Sequence, residues 1–140
     1  MGEHDVHPNG RNKRILVVED HAVTAEMLVE LLRDEGYCVS WAGTAEAAML
    51  YFSDSNGQQA KPHPDLVLLD LTLPDMDAVQ MVHQLEESHH DLPPVIVVSA
   101  KTTTYVQATA REIKAVSVVP KPFMIENLLG SIEGALHESA

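Results

Sequence analysis

The sequence predicts an α/β fold of the open, doubly wound kind: a five-stranded parallel sheet with five helices. Two observations predict it. Four short, predominantly apolar runs at residues 15–18, 66–69, 95–98 and 116–119 read as strands covered on both faces, because a strand with one wet face would alternate polar and apolar side chains. Segments with helical spacing of apolar residues separate them. Strict strand–helix alternation then requires right-handed crossovers and a parallel sheet between two helix layers.

At 140 residues and 45% hydrophobic side chains, the chain has the size of one domain with one core. Residues 1–13 mix Gly, Asn, Pro, His and charge without period and read as a flexible arm, so the domain is expected over 14–138. The first strand, 15–18, ends on Glu19 and Asp20. Val23, Met27, Leu28, Leu31 and Leu32 then recur at helical spacing over 22–35, and Gly36 supplies the stop. A short strand over 37–41 follows. Thr44 offers an N-cap hydroxyl to a helix reaching residue 52, with Ala48, Met49 and Phe52 inward, and 53–64 is polar loop.

The run 66–69 ends on Asp70, and 77–87 forms a helix capped by Asp77 with Val79, Val82 and Leu85 inward. The run 95–98 ends on Ser99, and 103–113 is a weaker amphipathic helix carrying Tyr105, read as an ordinary half-buried ring. The run 116–119 stops before Lys121, and Ile125, Leu128, Leu129, Ile132 and Leu136 mark the last helix. There is no internal repeat and no second domain.

Nine Lys and Arg against 21 Asp and Glu give a net charge of 9 − 21 = −12, which repels phosphate backbones and anionic lipid and argues against a direct nucleic-acid or membrane partner. The single cysteine, Cys38, excludes an internal disulfide and reads as a small buried hydrophobe in a reducing compartment. No apolar run approaches the roughly 20 residues of a membrane span, and the polar N-terminus has no signal-peptide core, so a cytoplasmic location is expected. The eight histidines, including His4, His7, His89 and His90, lack acid or thiol partners at ligand spacing and do not predict a metal centre.

Ligands of open α/β sheets bind beyond the carboxyl ends of the strands. Here those positions hold Glu19, Asp20, Asp70, Ser99 and Lys121. Taken singly, Glu19 and Asp20 read equally well as a solvated strand end, Ser99 as a small residue closing a strand, and Lys121 as a solvated charge before proline. Together they make a set. Three clustered carboxylates raise one another's pKa unless a cation or a lysine compensates them. An oxygen-rich site with few protein ligands suits Mg²⁺, which completes its shell with water and phosphate oxygens. A carboxylate can attack phosphorus, and Asp70 is the best-placed nucleophile, with lysine and hydroxyl available for the charge on the phosphoryl oxygens.

Four fragments in this order, Leu16-Val-Val-Glu-Asp-His21, Asp65-Leu-Val-Leu-Leu-Asp-Leu-Thr-Leu-Pro-Asp-Met-Asp77, Ile96-Val-Val-Ser-Ala100 and Lys121-Pro-Phe123, resemble the receiver domain of two-component response regulators (CheY-like) over residues 14–138. The resemblance implies the flavodoxin-like receiver fold and a phosphorylation switch. Asp70 would take a phosphoryl group from a histidine kinase or histidine phosphotransferase. Asp20 would bind Mg²⁺ (or Mn²⁺) directly, Glu19 through water, and the Thr72 backbone carbonyl would be a further ligand, with Ser99 and Lys121 on the phosphoryl oxygens. It also implies a cis Lys121-Pro122 bond, which an X-Pro bond tolerates. The only chemistry implied is self-phosphorylation and self-dephosphorylation, so the chain is not expected to be a turnover enzyme. Output would pass through the face of helix four, strand five and helix five to a partner unnamed by the sequence, a phosphorylation-dependent homodimer among the candidates.

The chain departs from the family pattern at three places. Val118 stands where the family often has Tyr or Phe, so the resemblance does not extend to an aromatic switch there; Ala78 replaces a common Gly; and Lys114-Ala115 replaces the usual Gly-Ala, changing the turn out of helix four. Two other classes compete: a degenerate receiver acting only as an interaction module, and an Asp-nucleophile phosphohydrolase. The latter usually needs a second acid where Thr72 stands, and a cap domain. Residues 134–140 leave no room for an output domain, so the sequence reads as a stand-alone regulator or as a domain of a longer protein.

Overall fold

A computed structural model describes residues 12–52, 63–88, 92–100 and 104–139. Most of the expected arm and of the 53–64 loop, His89, His90 and the first residue of the fourth helix lie outside the described residues. The elements run β1 (Arg14–Val18), α1 (Ala22–Asp34), β2 (Cys38–Ala42), α2 (Ala45–Met49) with a 3₁₀ turn (Leu50–Phe52), β3 (Leu66–Leu69), α3 (Ala78–Ser88), β4 (Val95–Ser99), α4 (Thr104–Glu112), β5 (Ser117–Pro120) and α5 (Ile125–Ser139). All strand pairs are parallel, in the order β2-β1-β3-β4-β5.

The apolar runs serve two cores at once. Leu16, Val18, Val67, Leu69, Val95 and Val97 face the layer of α2, α3 and α4, where Ala48, Phe52, Met81, Val82, Leu85 and Val106 meet them. Ile15, Val17, Leu66, Leu68, Ile96 and Val98 face α1 and α5, through Leu28, Leu32, Leu128 and Ile132. Alternate residues of one strand thus enter opposite cores, which is why the strands carry no polar phase.

Several expectations need correction. Val23 is 71% and Met27 44% exposed, because the buried stripe of α1 runs through Ala25, Leu28 and Leu32. Ile125 is likewise exposed, at the first turn of α5 before the helix reaches the sheet. Cys38 is exposed, because β2 is an edge strand and its alternation turns Val39 inward. Tyr105 projects from the first turn of α4 at 55% exposure and is not half-buried. Strands two and five each begin one residue later than their apolar runs suggested, and α2 tightens into a 3₁₀ turn after Met49. The caps behave as read: Thr44 Oγ1 accepts from the Ala47 amide at 3.1 Å, and Asp77 Oδ1 accepts from the Val79 amide at 2.8 Å. Among the described residues, no helix is long and apolar enough to cross a membrane.

Candidate functional site

From β1 the chain first moves outward to β2, then crosses back to β3 on the other side, so the strand order reverses between β1 and β3. A crevice opens beyond the carboxyl ends of strands at such a switch point. Val18 pairs with Leu69, and the next residue on each strand is an acid, Glu19 and Asp70. The ladder continues through them: the Glu19 amide donates to Ala42 O at 3.0 Å and the Asp70 amide to Val18 O at 2.9 Å. Two carboxylates are thereby placed side by side by backbone register.

Asp20 follows Glu19 at the loop, exposed, and the three acids bring carboxylate oxygens within 4.8 Å of one another; this is the one such group of His, Cys, Asp and Glu side chains among the described residues. The fourth member arrives from the far strand. The Lys121 amide donates to Ser99 O at 2.7 Å, the Lys121-Pro122 bond is cis, and the ammonium lies 2.7 Å from Glu19 Oε1 and 3.6 Å from Asp70 Oδ2.

The electrostatics follow from burial. Glu19 is 2% exposed, and its carboxyl is pushed above the ordinary glutamate value, first by burial and further by the Asp70 carboxylate; Lys121 and the His21 amide, which donates to Oε2 at 3.1 Å, pull the other way. Asp70 is nearly buried too, with Oδ1 accepting the Thr72 amide at 3.0 Å and Oδ2 turned toward Lys121. Three acids, Glu19 and Asp70 buried and Asp20 exposed at the rim, face one base, Lys121, and a hard divalent cation meets such a set with oxygen ligands. The donor set therefore fits Mg²⁺.

Ser99 ends β4, buried, in an adjoining cleft of about 250 Å³ whose walls include Thr72, Asp77, Tyr105 and Val106. All six residues singled out from the sequence thus lie at the carboxyl edge of the sheet: Glu19, Asp20, Asp70 and Lys121 in one cluster, Ser99 and Thr72 in the cleft beside it. Val118 is partly buried against the core. Sequence reasoning missed two residues here. Trp41 Nε1 donates to Glu19 O at 2.6 Å, and Asp75, in the loop after Asp70, accepts the Ala45 and Glu46 amides at 2.9 and 3.0 Å, which holds its carboxyl below the usual range. Asp75 carries the signal of an acid in a loop, but its helix, α2, lies 29 residues earlier; Trp41 carries none.

Residues 15–133 match the family model described as response regulator receiver domain. The chain is 35% identical over 128 residues to the alkaline phosphatase synthesis transcriptional regulatory protein SphR of Synechococcus elongatus, an alignment covering 90% of this chain and 49% of that protein. It is 30% identical to the non-phosphorylated HemR receiver domain from Leptospira biflexa, with a TM-score of 0.73 over 89% of this chain and 94% of that one. A CheY-like receiver domain protein from Methanospirillum hungatei shares the fold at a TM-score of 0.77 and 24% identity, over 91% and 95% of the two chains. The chain spans about half the length of the curated relatives it matches.

Proposed function

Because the chain belongs to the response regulator receiver domain family of two-component signalling, we propose that Asp70 accepts a phosphoryl group from the phosphohistidine of a sensor kinase or phosphotransferase. The observation that carries this reading is the Lys121 ammonium beside two buried carboxylates, 3.6 Å from an Asp70 oxygen, at the switch point of the sheet. A bare carboxylate among acids repels a phosphoryl donor; one flanked by a fixed ammonium receives it.

Glu19, Asp20, Asp70 and the Thr72 carbonyl would hold Mg²⁺, which when bound neutralises charge on the phosphoryl oxygens. The chain's own residues do the rest. An Asp70 carboxylate oxygen forms the new O–P bond as the donor's N–P bond breaks, and the imidazole leaves with a proton. Lys121 balances charge on the transferring group, and the Ser99 hydroxyl, in the cleft next to Thr72, donates to it. Water later cleaves the acyl phosphate, returning Asp70. The phosphoryl group then biases the face of α4, β5 and α5, where Tyr105 and Val116 stand exposed, toward its output partner; a second copy of this chain is one such partner. A module of this kind works on the cytoplasmic side of its kinase.

Phosphoramidate, which carries the same N–P bond, tests the proposal. Wild type with Mg²⁺ should take up one phosphoryl group, Lys121→Ala should do so at least about tenfold more slowly, and Asp70→Asn should take up none. Equal uptake by Asp70→Asn and wild type would overturn it.

A further inference from the structure

We propose that Trp41 is a positioning residue for the acidic pair, holding the peptide between Glu19 and Asp20 through its indole N–H so that the two carboxylates keep the spacing a divalent cation requires. This rests on the reading that the acid cluster binds Mg²⁺.

The bond from Trp41 Nε1 to Glu19 O, at 2.6 Å, is shorter than the usual N–H···O distance of about 2.9 Å. Packing does not account for the ring: Trp41 is 42% exposed and belongs to neither core. Its neighbour Gly43 lies against both partners, where a Cβ would stand 3.9 Å from Trp41 Cζ2 and 4.0 Å from Glu19 O. The indole thus lies over the turn that carries the acids, reaching it from the edge strand.

Every other polar group of Glu19 is already fixed. Its amide binds Ala42 O, Oε1 binds Lys121 and Oε2 binds the His21 amide. The carbonyl is the remaining one, in a residue 2% exposed. Without the indole that acceptor loses its hydrogen bond, and the peptide can regain one only by rotating toward water. Turning that peptide changes ψ at Glu19 and φ at Asp20, and whatever part of the two changes does not cancel re-aims Asp20 relative to Glu19. Groups one bond removed from a metal ligand set affinity in this way.

The test compares wild type with Trp41→Phe, and with protein carrying 3-benzothienylalanine at position 41, which keeps the shape of the indole and replaces N–H by sulfur. Mg²⁺ binding is read by titration calorimetry, and phosphorylation rate is followed against Mg²⁺ concentration. Both variants should bind Mg²⁺ about tenfold more weakly than wild type. Their phosphorylation rates should reach the wild-type plateau at saturating Mg²⁺, with only the midpoint displaced. Unchanged Mg²⁺ affinity in the sulfur analogue, or a lowered plateau with an unmoved midpoint, would overturn the assignment. Wild type that binds no Mg²⁺ would overturn both this inference and the reading it rests on, whereas tight wild-type binding with unaltered variants would overturn this one alone.

Discussion

Single residues in this protein show how burial sets a proton's affinity. Tyr37 is 4% exposed, its hydroxyl has no hydrogen-bond partner among the described residues, and its pKa is pushed from 10.0 up to about 12, chiefly by burial and then by Glu133 and Glu35. Below pH 10 the hydroxyl is neutral whether the chain is folded or not, so its contribution to stability is fully present. Between pH 10 and 12 the unfolded chain releases the proton and the folded one holds it, so stability is lost as pH rises. Tyr37→Phe should therefore leave stability at pH 8 unchanged or slightly higher, since no hydrogen bond is broken. At pH 11 wild type should have lost about 1 kcal/mol relative to the variant, read as a shift in urea midpoint. Parallel losses in both proteins would contradict the burial of this hydroxyl.

At the scale of elements, α1 and α4 end in the same way with different residues. Gly36, at φ 96°, donates to Arg33 O while the Tyr37 amide reaches Leu32 O; Lys114, at φ 60°, donates to Arg111 O while the Ala115 amide reaches Ala110 O. Both are Schellman closures, whose left-handed position favours glycine. Lysine there is strained by its Cβ, so Lys114→Gly should stabilise the domain by about 1 kcal/mol, net of the greater freedom glycine gives the unfolded chain. Thermal unfolding checks it; destabilisation would mean that the lysine side chain holds the turn.

These two turns also show what was legible. Gly36 announced its turn by residue type, and the departure at Lys114-Ala115 was visible in the sequence, but the left-handed conformation that lysine adopts was not. Strand identity was legible because both faces of β1, β3 and β4 are buried, leaving one apolar run each. Helix faces were less so: Val23 and Met27 fit the apolar period of α1 yet lie off its buried stripe, since periodicity identifies an apolar side without ranking its edges. Cys38 was misread because nothing local marks β2 as an edge strand. The acids, Ser99 and Lys121 were legible because each sits at a strand end, where topology alone decides which residues meet. Trp41 and Asp75 act through backbone atoms of other elements, and such contacts leave no local pattern.

The whole molecule is a rigid sheet that fixes, by register, the distance between groups up to 102 residues apart, as Glu19 and Lys121 are. The chain as a whole carries a net charge of −12, and at the site one ammonium, Lys121, faces the three carboxylates. The relatives it matches extend to about twice its span, and SphR is named as a transcriptional regulatory protein, so a domain of this kind operates beside further sequence in such proteins. Common to them and to this chain is the aligned receiver span. The function proposed for it depends on one bond, between an oxygen of Asp70 and phosphorus.

Intact mass after incubation with acetyl phosphate and Mg²⁺ tests that bond most directly. Wild type should gain the mass of a single phosphoryl group, lose it on treatment with hydroxylamine as an acyl phosphate does, and gain nothing in EDTA, while Asp70→Asn should stay at its starting mass throughout. A wild type that remains unmodified with Mg²⁺ present, or an Asp70→Asn protein that gains the same labile mass, would contradict the account.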